Sequence, residues 1–521
     1  MAFNSIVEAS FFHYIKVTMN IKKPGVLFAL IASILTAAAV FSAASCKGSA
    51  KGSAGLKELR FGLMSEPASL DPLSPSNTAD GRLILFNVYE GLVKPDTSGR
   101  LVPAVAESYE MNQGGLVYSF TLREGLLFHD NSPLDAEDVA FTLNEAVKAA
   151  FTGFDRIESV RHFGKRQIEI TLKTPDPDFL PNLTLGIVPK NNPDREKTPI
   201  GSGPFFIENY LPQQSLTLVK NPHYRISGMP KLDRVTAVFS ASYDALYTGL
   251  EGGNINGAFV TGDVMEKLDK DKYEVTQSYS NSTQLLALNN SVKALGDARV
   301  RQAVNYAVDV QEIIDAAFYG RGEPSGSPLI PGLKLYYNEA LRNPYPVDLS
   351  KALELMTDAG YANGFNLEIK IASNYVMHVD TGQVLVNQLA KIGINASIRL
   401  VDWATWLNDV YFGRNYEATI ISLDSNTVSA PGFLSRYESN AGNNFINFKS
   451  EAYDKLYREI LIEADEASRI RLYKEAQKII SDEAASVFIQ DIYAFQVFKG
   501  GFKGAVSYPL YVIDFSAIYH E

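Results

Sequence analysis

From Leu59 onward, apolar residues switch between the two-residue period of strands and the 3.6-residue period of helices. Leu116, Tyr118 and Phe120 alternate with Val117, Ser119 and Thr121, and Arg123-Glu124-Gly125 follows as a turn, so a strand is predicted there. Asp135 is placed to cap the next helix, with Glu137 and Asp138 in a first turn where the helix dipole favours negative charge. Val139, Leu143, Ala146 and Val147 recur at helical spacing and give that helix one buried face. Later, Leu367, Ile369 and Ile371 alternate, and a helix is predicted over 381–392 with Val384, Leu385, Leu389 and Ile392 apolar. Gly393 suits a left-handed C-cap, and Ile394, Ala396, Ile398 and Leu400 alternate again. Strand, helix and strand with short links predict a right-handed βαβ crossover. Further helices are predicted over 299–319, 349–359, 451–463 and 466–481. No short-period repeat or low-complexity segment follows residue 55, which excludes solenoids and leaves an α/β protein of several lobes.

The amino terminus reads as an address. Lys22 and Lys23 precede the uncharged stretch 26–44, which runs into Ala43-Ala44-Ser45-Cys46. A positive start, an apolar middle and small terminal residues are the parts of a secretory signal, although the stretch is also long enough to span a bilayer. The small residues before Cys46 resemble a bacterial lipobox, with Ala43 where Leu is usual. That resemblance implies lipid attachment at Cys46 after removal of residues 1–45; the alternative is a free thiol in a tail. More than one acyl chain would make membrane anchoring stable. Residues 46–55 then read as a flexible tether. Met19, followed by Asn20-Ile21-Lys22-Lys23, is the expected translation start, since residues 1–18 fit no part of a signal.

Composition narrows the function. Hydrophobic residues at 46% and charged residues at 21% describe a folded chain, and 521 residues suggest two to four domains. A net charge of -11 without any basic run gives no electrostatic reason to bind nucleic acid. One cysteine allows no intrachain disulfide, and the six histidines form no close ligand set, so no metal site and no cofactor are expected. No G-x-S-x-G occurs and no motif selects a pair of carboxylates, so an enzyme is not expected. The 27 tyrosines and 29 phenylalanines can build cores or line a pocket for a partly apolar ligand.

A series of blocks then carries a resemblance. Ser65-Glu66-Pro67-Ala68-Ser69-Leu70-Asp71-Pro72, Tyr89-Glu90-Gly91-Leu92, and Leu101 to Tyr109 come first. Phe120 to Gly125, Phe128-His129-Asp130 and Leu134 to Val139 follow, then Gly201-Ser202-Gly203-Pro204-Phe205 and Asn221-Pro222-His223-Tyr224. Asp297 to Ala303 and Ala359-Gly360-Tyr361 complete the order. Together they resemble the family 5 extracellular solute-binding proteins, the group of oligopeptide, dipeptide and nickel binders. Read as residues, most of these blocks belong to the fold. Gly201 and Gly203 are expected to allow a tight turn. Arg299 and Arg301 are expected in ion pairs at a helix start, and His129 in a loop hydrogen bond with Asp130.

The resemblance implies a two-lobed periplasmic-binding-protein fold of type II, in the large class with an extra inserted subdomain. Lobe I would take residues 56–92, 197–285 and 493–521, the insert 93–196, and lobe II 286–492. The lobes would close over a peptide or another small solute, and closure would be recognised by an ABC permease and its ATPase, both separate chains. A monomer is expected in the periplasm or on the outer surface, held to the membrane by its lipid. Peptide binders of this family set an Asp against the ligand's amino group. Aligned on Phe433-Leu434, that position falls on Asn426, which carries no charge; Asp424, two residues earlier, is the substitute candidate, and a solvated loop Asp is its plainer reading. Trp403, Asp491, Tyr493, Asn77 and Thr78 complete the candidate ligand set, with core packing expected for at least one of Trp403 and Trp406. A sugar, a nickel chelate or an opine remains an alternative ligand, and a surface adhesin or receptor an alternative use of the fold.

Overall fold

The computed structural model describes residues 57–521 apart from 65, 75–78, 425–428 and 511. The signal, Cys46 and the tether lie outside the described residues, as do Asn77, Thr78 and Asn426.

Two sheets organise the molecule. The short strands β1 (Glu58–Leu63), β2 (Val93–Pro95) and β3 (Leu101–Pro103) come first, β2 and β3 forming an antiparallel hairpin. The strands β4 (Ala106–Asn112), β5 (Val117–Leu122), β6 (Ile157–Phe163) and β7 (Gln167–Leu172) then make a separate antiparallel sheet in the order β4-β5-β7-β6. After them come β8 (Phe205–Leu211), β9 (Ser215–Lys220), β10 (Arg234–Phe239), β11 (Gly257–Val260) and β12 (Tyr273–Leu288). The last group is β13 (Gly322–Pro324), β14 (Phe365–Ala372), β15 (Ile394–Val401), β16 (Ala418–Asp424) and β17 (Val487–Lys499). These join β1 in one large sheet of order β15-β14-β16-β12-β17-β11-β1-β10-β9-β8, with β13 on β17.

Two strands in the middle of that order are much longer than the rest. The first half of β12 pairs with the second half of β17, from Tyr273 opposite Lys499 to Tyr279 opposite Tyr493. Beyond that the ladder loses register, and it resumes at Thr283 opposite Asp491. On one side of this break β17 pairs with β11; on the other β12 pairs with β16. The large sheet is therefore two half-sheets joined through β12 and β17.

Each half buries its own apolar residues. Leu286, Leu288, Ile369, Ile371 and Ile420 pack beneath the helix Val376–Ala390 on one face of the β14–β16 half, while Leu285, Phe433, Phe445 and Tyr473 cover the other. Leu59, Phe61, Leu216, Val235 and Phe515 form the core of the β1 half. The four-stranded sheet has a core of its own, with Tyr118, Phe120, Ile170 and Val139. Its Asp178 reaches the far half-sheet's helix Glu466–Asp482, accepting from the Tyr473 hydroxyl and lying 3.3 Å from Arg469 Nε. Burial pushes the Asp178 carboxyl up to about 6, outweighing the opposing pull of Arg469.

The sequence pattern predicts several elements closely, and the differences have causes. Asp135 does cap the helix Ala136–Lys148 as half of a capping box with Asp138. β14 and β15 are adjacent and parallel, as a βαβ unit requires. Its helix begins at Val376, five residues before the predicted start: in the first turn the exposed residue is the apolar Val376 and the buried one is His378, the reverse of an amphipathic pattern. The predicted helix over 299–319 is two helices, Ala298–Ala307 and Val310–Phe318, since Asp309 caps the second by accepting from Glu312 N. Arg299 pairs with Asp297, but Arg301 makes no ion pair within 4 Å among the described residues. Instead its guanidinium donates to the carbonyls of Leu295, Gly296, Glu483 and Ala484, tying two loops together. His129 bonds Gly201 N and Gly203 O, not Asp130, and burial holds its imidazole down at about 4. Gly201 and Gly203 serve close approach: a Cβ on Gly201 would lie 2.0 Å from the Val88 carbonyl oxygen, and one on Gly203 2.6 Å from that of Asn87. Among the described residues no helix is long and apolar enough to cross a membrane.

Candidate functional site

A cavity of about 390 Å³ lies between the β1 half-sheet and the four-stranded subdomain. That is the size of a small-solute site. Its walls come mainly from four stretches that are remote in sequence: residues 82–95, which run from the helix Ala79–Leu85 into β2, residues 150–154, residues 181–186, and the return segment with Leu510, Val512, Asp514 and Ser516; Pro72, Ser74, Pro204 and Tyr224 complete them. Asn87 ties the first of these to the last. Buried completely, it donates to the carbonyls of Leu83 and Ile513 and accepts from Phe515 N. Phe86, Phe151, Phe154, Leu185 and Val512 give the cavity an apolar lining. Phe151 and Phe154 meet edge to face at 6.3 Å, and Phe86 packs on Tyr508 at 5.8 Å, which fixes the rings.

The polar groups of the lining are mostly engaged. Glu90, 6% exposed at its side chain, accepts from Arg225 Nε and Nη2 and from the Tyr224 hydroxyl, at 2.8–3.1 Å. Charge-assisted, bidentate and nearly dry, this is a rigid piece of wall. Burial, with Glu90 beside it, drives the Tyr224 phenol far above its ordinary range, so it stays protonated and donates. Asp514 accepts from the Tyr508 hydroxyl at 3.0 Å and from Ser516 N and Oγ. Lys94 and Arg82 add positive charge.

None of the described ligand candidates lines this cavity. Asp491 and Tyr493 flank the register break in β17. Asp491 is fully buried and accepts from Ser282 N at 3.4 Å. Tyr493 meets Tyr279 edge to face at 5.5 Å and donates to Glu323, which is also paired with Arg342. Trp403 lies on the other half-sheet, 37% exposed and stacked on Trp406 at 5.0 Å. Trp406 is the buried partner, its indole donating to Thr419 Oγ1 at 2.9 Å. Asp424 ends β16 with an exposed side chain, and its carbonyl accepts from Arg436. Pro72, Ser74 and Arg82 of the cavity bracket residues 75–78 in sequence, which hold Asn77 and Thr78.

The cavity residues are not legible in the sequence, because what joins them is tertiary. Tyr89-Glu90-Gly91-Leu92 and Asn221-Pro222-His223-Tyr224 stand out as blocks, yet nothing in either says that Glu90 and Arg225 meet across 135 residues. Among the described residues no group of three or more His, Cys, Asp or Glu is placed to hold a metal ion.

Two half-sheets joined by a pair of long strands, with an added subdomain beside one of them, define a two-lobed periplasmic binding protein. A family model described as bacterial extracellular solute-binding proteins, family 5, matches residues 100–445, and the chain belongs to this family of ABC-importer solute-binding proteins. It is 27% identical over 468 residues to the heme-binding protein A of Haemophilus influenzae, covering 81% of this chain and 85% of that one. The structure is similar to the ABC transporter substrate-binding protein CtaP of Listeria monocytogenes, with a TM-score of 0.81 and 24% identity, covering 89% and 99% of the two chains. It is also similar to the periplasmic binding protein DppA of Helicobacter pylori in complex with the peptide STSA, with a TM-score of 0.70 and 26% identity over 89% and 98%.

Proposed function

We propose that this protein captures a peptide, or a solute of similar size, between two lobes that hinge at the β12–β17 register break, and delivers it to an ABC permease. The single observation that carries the reading is that break: the half-sheets are continuous through two strands whose pairing is irregular at the point where they pass from one half to the other. A ligand touching both halves would favour their closure by its differential affinity. On this reading lobe I comprises 56–92, 197–285 and 493–521, the insert 93–196 and lobe II 286–492. Asp491 and Tyr493 then sit at the pivot, while Trp403 and Asp424 face solvent on lobe II, available to a ligand held first by lobe I. Asn77, Thr78 and Asn426 complete the proposed contacts. Cys46 is the proposed lipid anchor that keeps the monomer at the membrane outside the cytoplasm. The reading involves no enzymatic step.

The test is thermal unfolding of protein that has been denatured and refolded to strip retained solute, against peptides, glutathione, heme, sugars and nickel chelates. Selective binding to the native state must raise stability, by about 2.7 kcal/mol at a hundredfold excess over Kd. A rise with peptides supports the reading, and loss of preference for free-amine peptides in Asp424→Asn would assign the amine contact. A rise with a sugar or chelate alone would replace the ligand class. No rise with any solute would overturn the proposal.

A further inference from the structure

The cavity lining is polarised, and the polarity tells which end of a solute it can take. Its two acidic side chains are already committed within the protein. Glu90 accepts four contacts from Arg225 and Tyr224, and Asp514 accepts three from Tyr508 and Ser516. A carboxylate offers about four acceptor positions, so Glu90 has none left for an incoming ammonium. The basic side is different. Lys94, in the middle of β2 between the buried Val93 and Pro95, projects its half-buried side chain into the lining. Among the described residues its ammonium has no carboxylate within 4 Å and no hydrogen bond. A lysine in the lining of a largely apolar cavity, with no carboxylate beside it, is stabilised by an anion that arrives there, since a charge-assisted hydrogen bond then forms.

We propose that this cavity receives the carboxylate end of a small solute with an apolar or aromatic body, and that Lys94 is its charge partner. The inference rests on the solute-binding reading and deepens it. The carboxylate meets Lys94, and the body lies against Phe86, Phe151, Phe154 and Leu185. A free amine on the same solute is held less well here, since Glu90 has no acceptor position left and Asp514 has three of its own already taken.

Calorimetric titration of the full chain with matched pairs of dipeptides and N-acyl amino acids, each as free acid and as primary amide, tests this. The acid of a pair is expected to bind roughly tenfold or more tightly than its amide, the scale of a charge-assisted hydrogen bond. Lys94→Gln is expected to abolish that preference without changing the melting temperature of the free protein, and Lys94→Arg to keep it. Equal binding of acid and amide, or a preference that survives Lys94→Gln, would overturn the assignment. Binding of a neutral or cationic solute with no binding by any acid would also overturn it while leaving the solute-binding reading intact. No binding by any solute would remove both.

Discussion

The cavity wall and the β12–β17 crossing are both buried and polar, and they are built on opposite rules. In the wall, Asn87, Glu90, Arg225, Tyr224 and Asp514 are bonded to one another or to main chain. At the crossing, Asn281 holds a left-handed backbone conformation with φ of 56°, donates to the Tyr508 carbonyl, and leaves its Oδ1 without a partner among the described residues. Gln490 Oε1 and Gln496 Oε1 on β17 are in the same condition. Each buried atom left unbonded costs about 1–3 kcal/mol. The difference teaches where this molecule places its stability: in the bonded wall of the cavity, and not in the strands that join the two half-sheets.

The largest way to break the contrast is to open the wall. Glu90→Ala leaves the Arg225 guanidinium buried without its partner, and should lower the unfolding free energy by roughly 3–5 kcal/mol in denaturant titrations. Next comes the contact that ties the insert to the far half-sheet. Asp178 titrates at about 6 in the folded protein against an ordinary 3.8, so the folded state holds its proton more tightly. Its contribution is fully present below about pH 4 and is lost as pH rises through 6, by up to ~3 kcal/mol. Its neighbours Asp176, Arg156, Arg469, Tyr473, Tyr336 and Tyr457 set that balance. His129 and His378, both held down at about 4 by burial, act in the opposite sense and lose stability as pH falls from 6.5 through 4. The difference in unfolding free energy between the wild type and Asp178→Asn, followed from pH 4 to pH 7, isolates the first effect from the second; a flat difference would show that Asp178 does not titrate in this range.

At the crossing the effects are smaller. Asn281→Ala should cost about 2 kcal/mol, from left-handed strain and the lost bond to Tyr508, and Asn281→Gly about 1 kcal/mol, from the bond alone. Amide exchange in β12 should quicken in both, with the β1 core unchanged. The smallest effect sharpens the contrast most: Lys94→Gln should stay within about 0.5 kcal/mol of the wild type, as suits a side chain that no part of the fold uses.

Periodicity made the elements legible where one face is buried, as in β14, β15 and the helix Ala136–Lys148. The two-lobed class was legible through ordered blocks. The candidate site was much less so. The resemblance points to Asp491 and Tyr493 as ligand contacts, and the structure places them beside the register break of β17. It points to Trp403 as well, whose ring stacks on Trp406. Lys94, Phe151 and Phe154 carry no local signal, because what brings them together is a wall assembled from segments far apart in sequence. Even the Gly201-Ser202-Gly203 block, which in sequence suggests a turn, has its glycines where the Asn87 and Val88 carbonyls come close. A sequence shows periodicity along one segment; it does not show which two segments touch.

That the two halves share the same two strands has a mechanical consequence. Proteins whose halves are linked by loops can swing through wide arcs at little cost, since a loop stores almost no work. Here the halves share a ladder of hydrogen bonds through β12 and β17, so any rotation between them must twist that ladder. Such a joint behaves as a torsion spring: it has a rest angle, a limited range and a restoring torque. A bound solute would have to hold the spring wound, and when that solute is withdrawn the recoil itself would reset the protein for the next one.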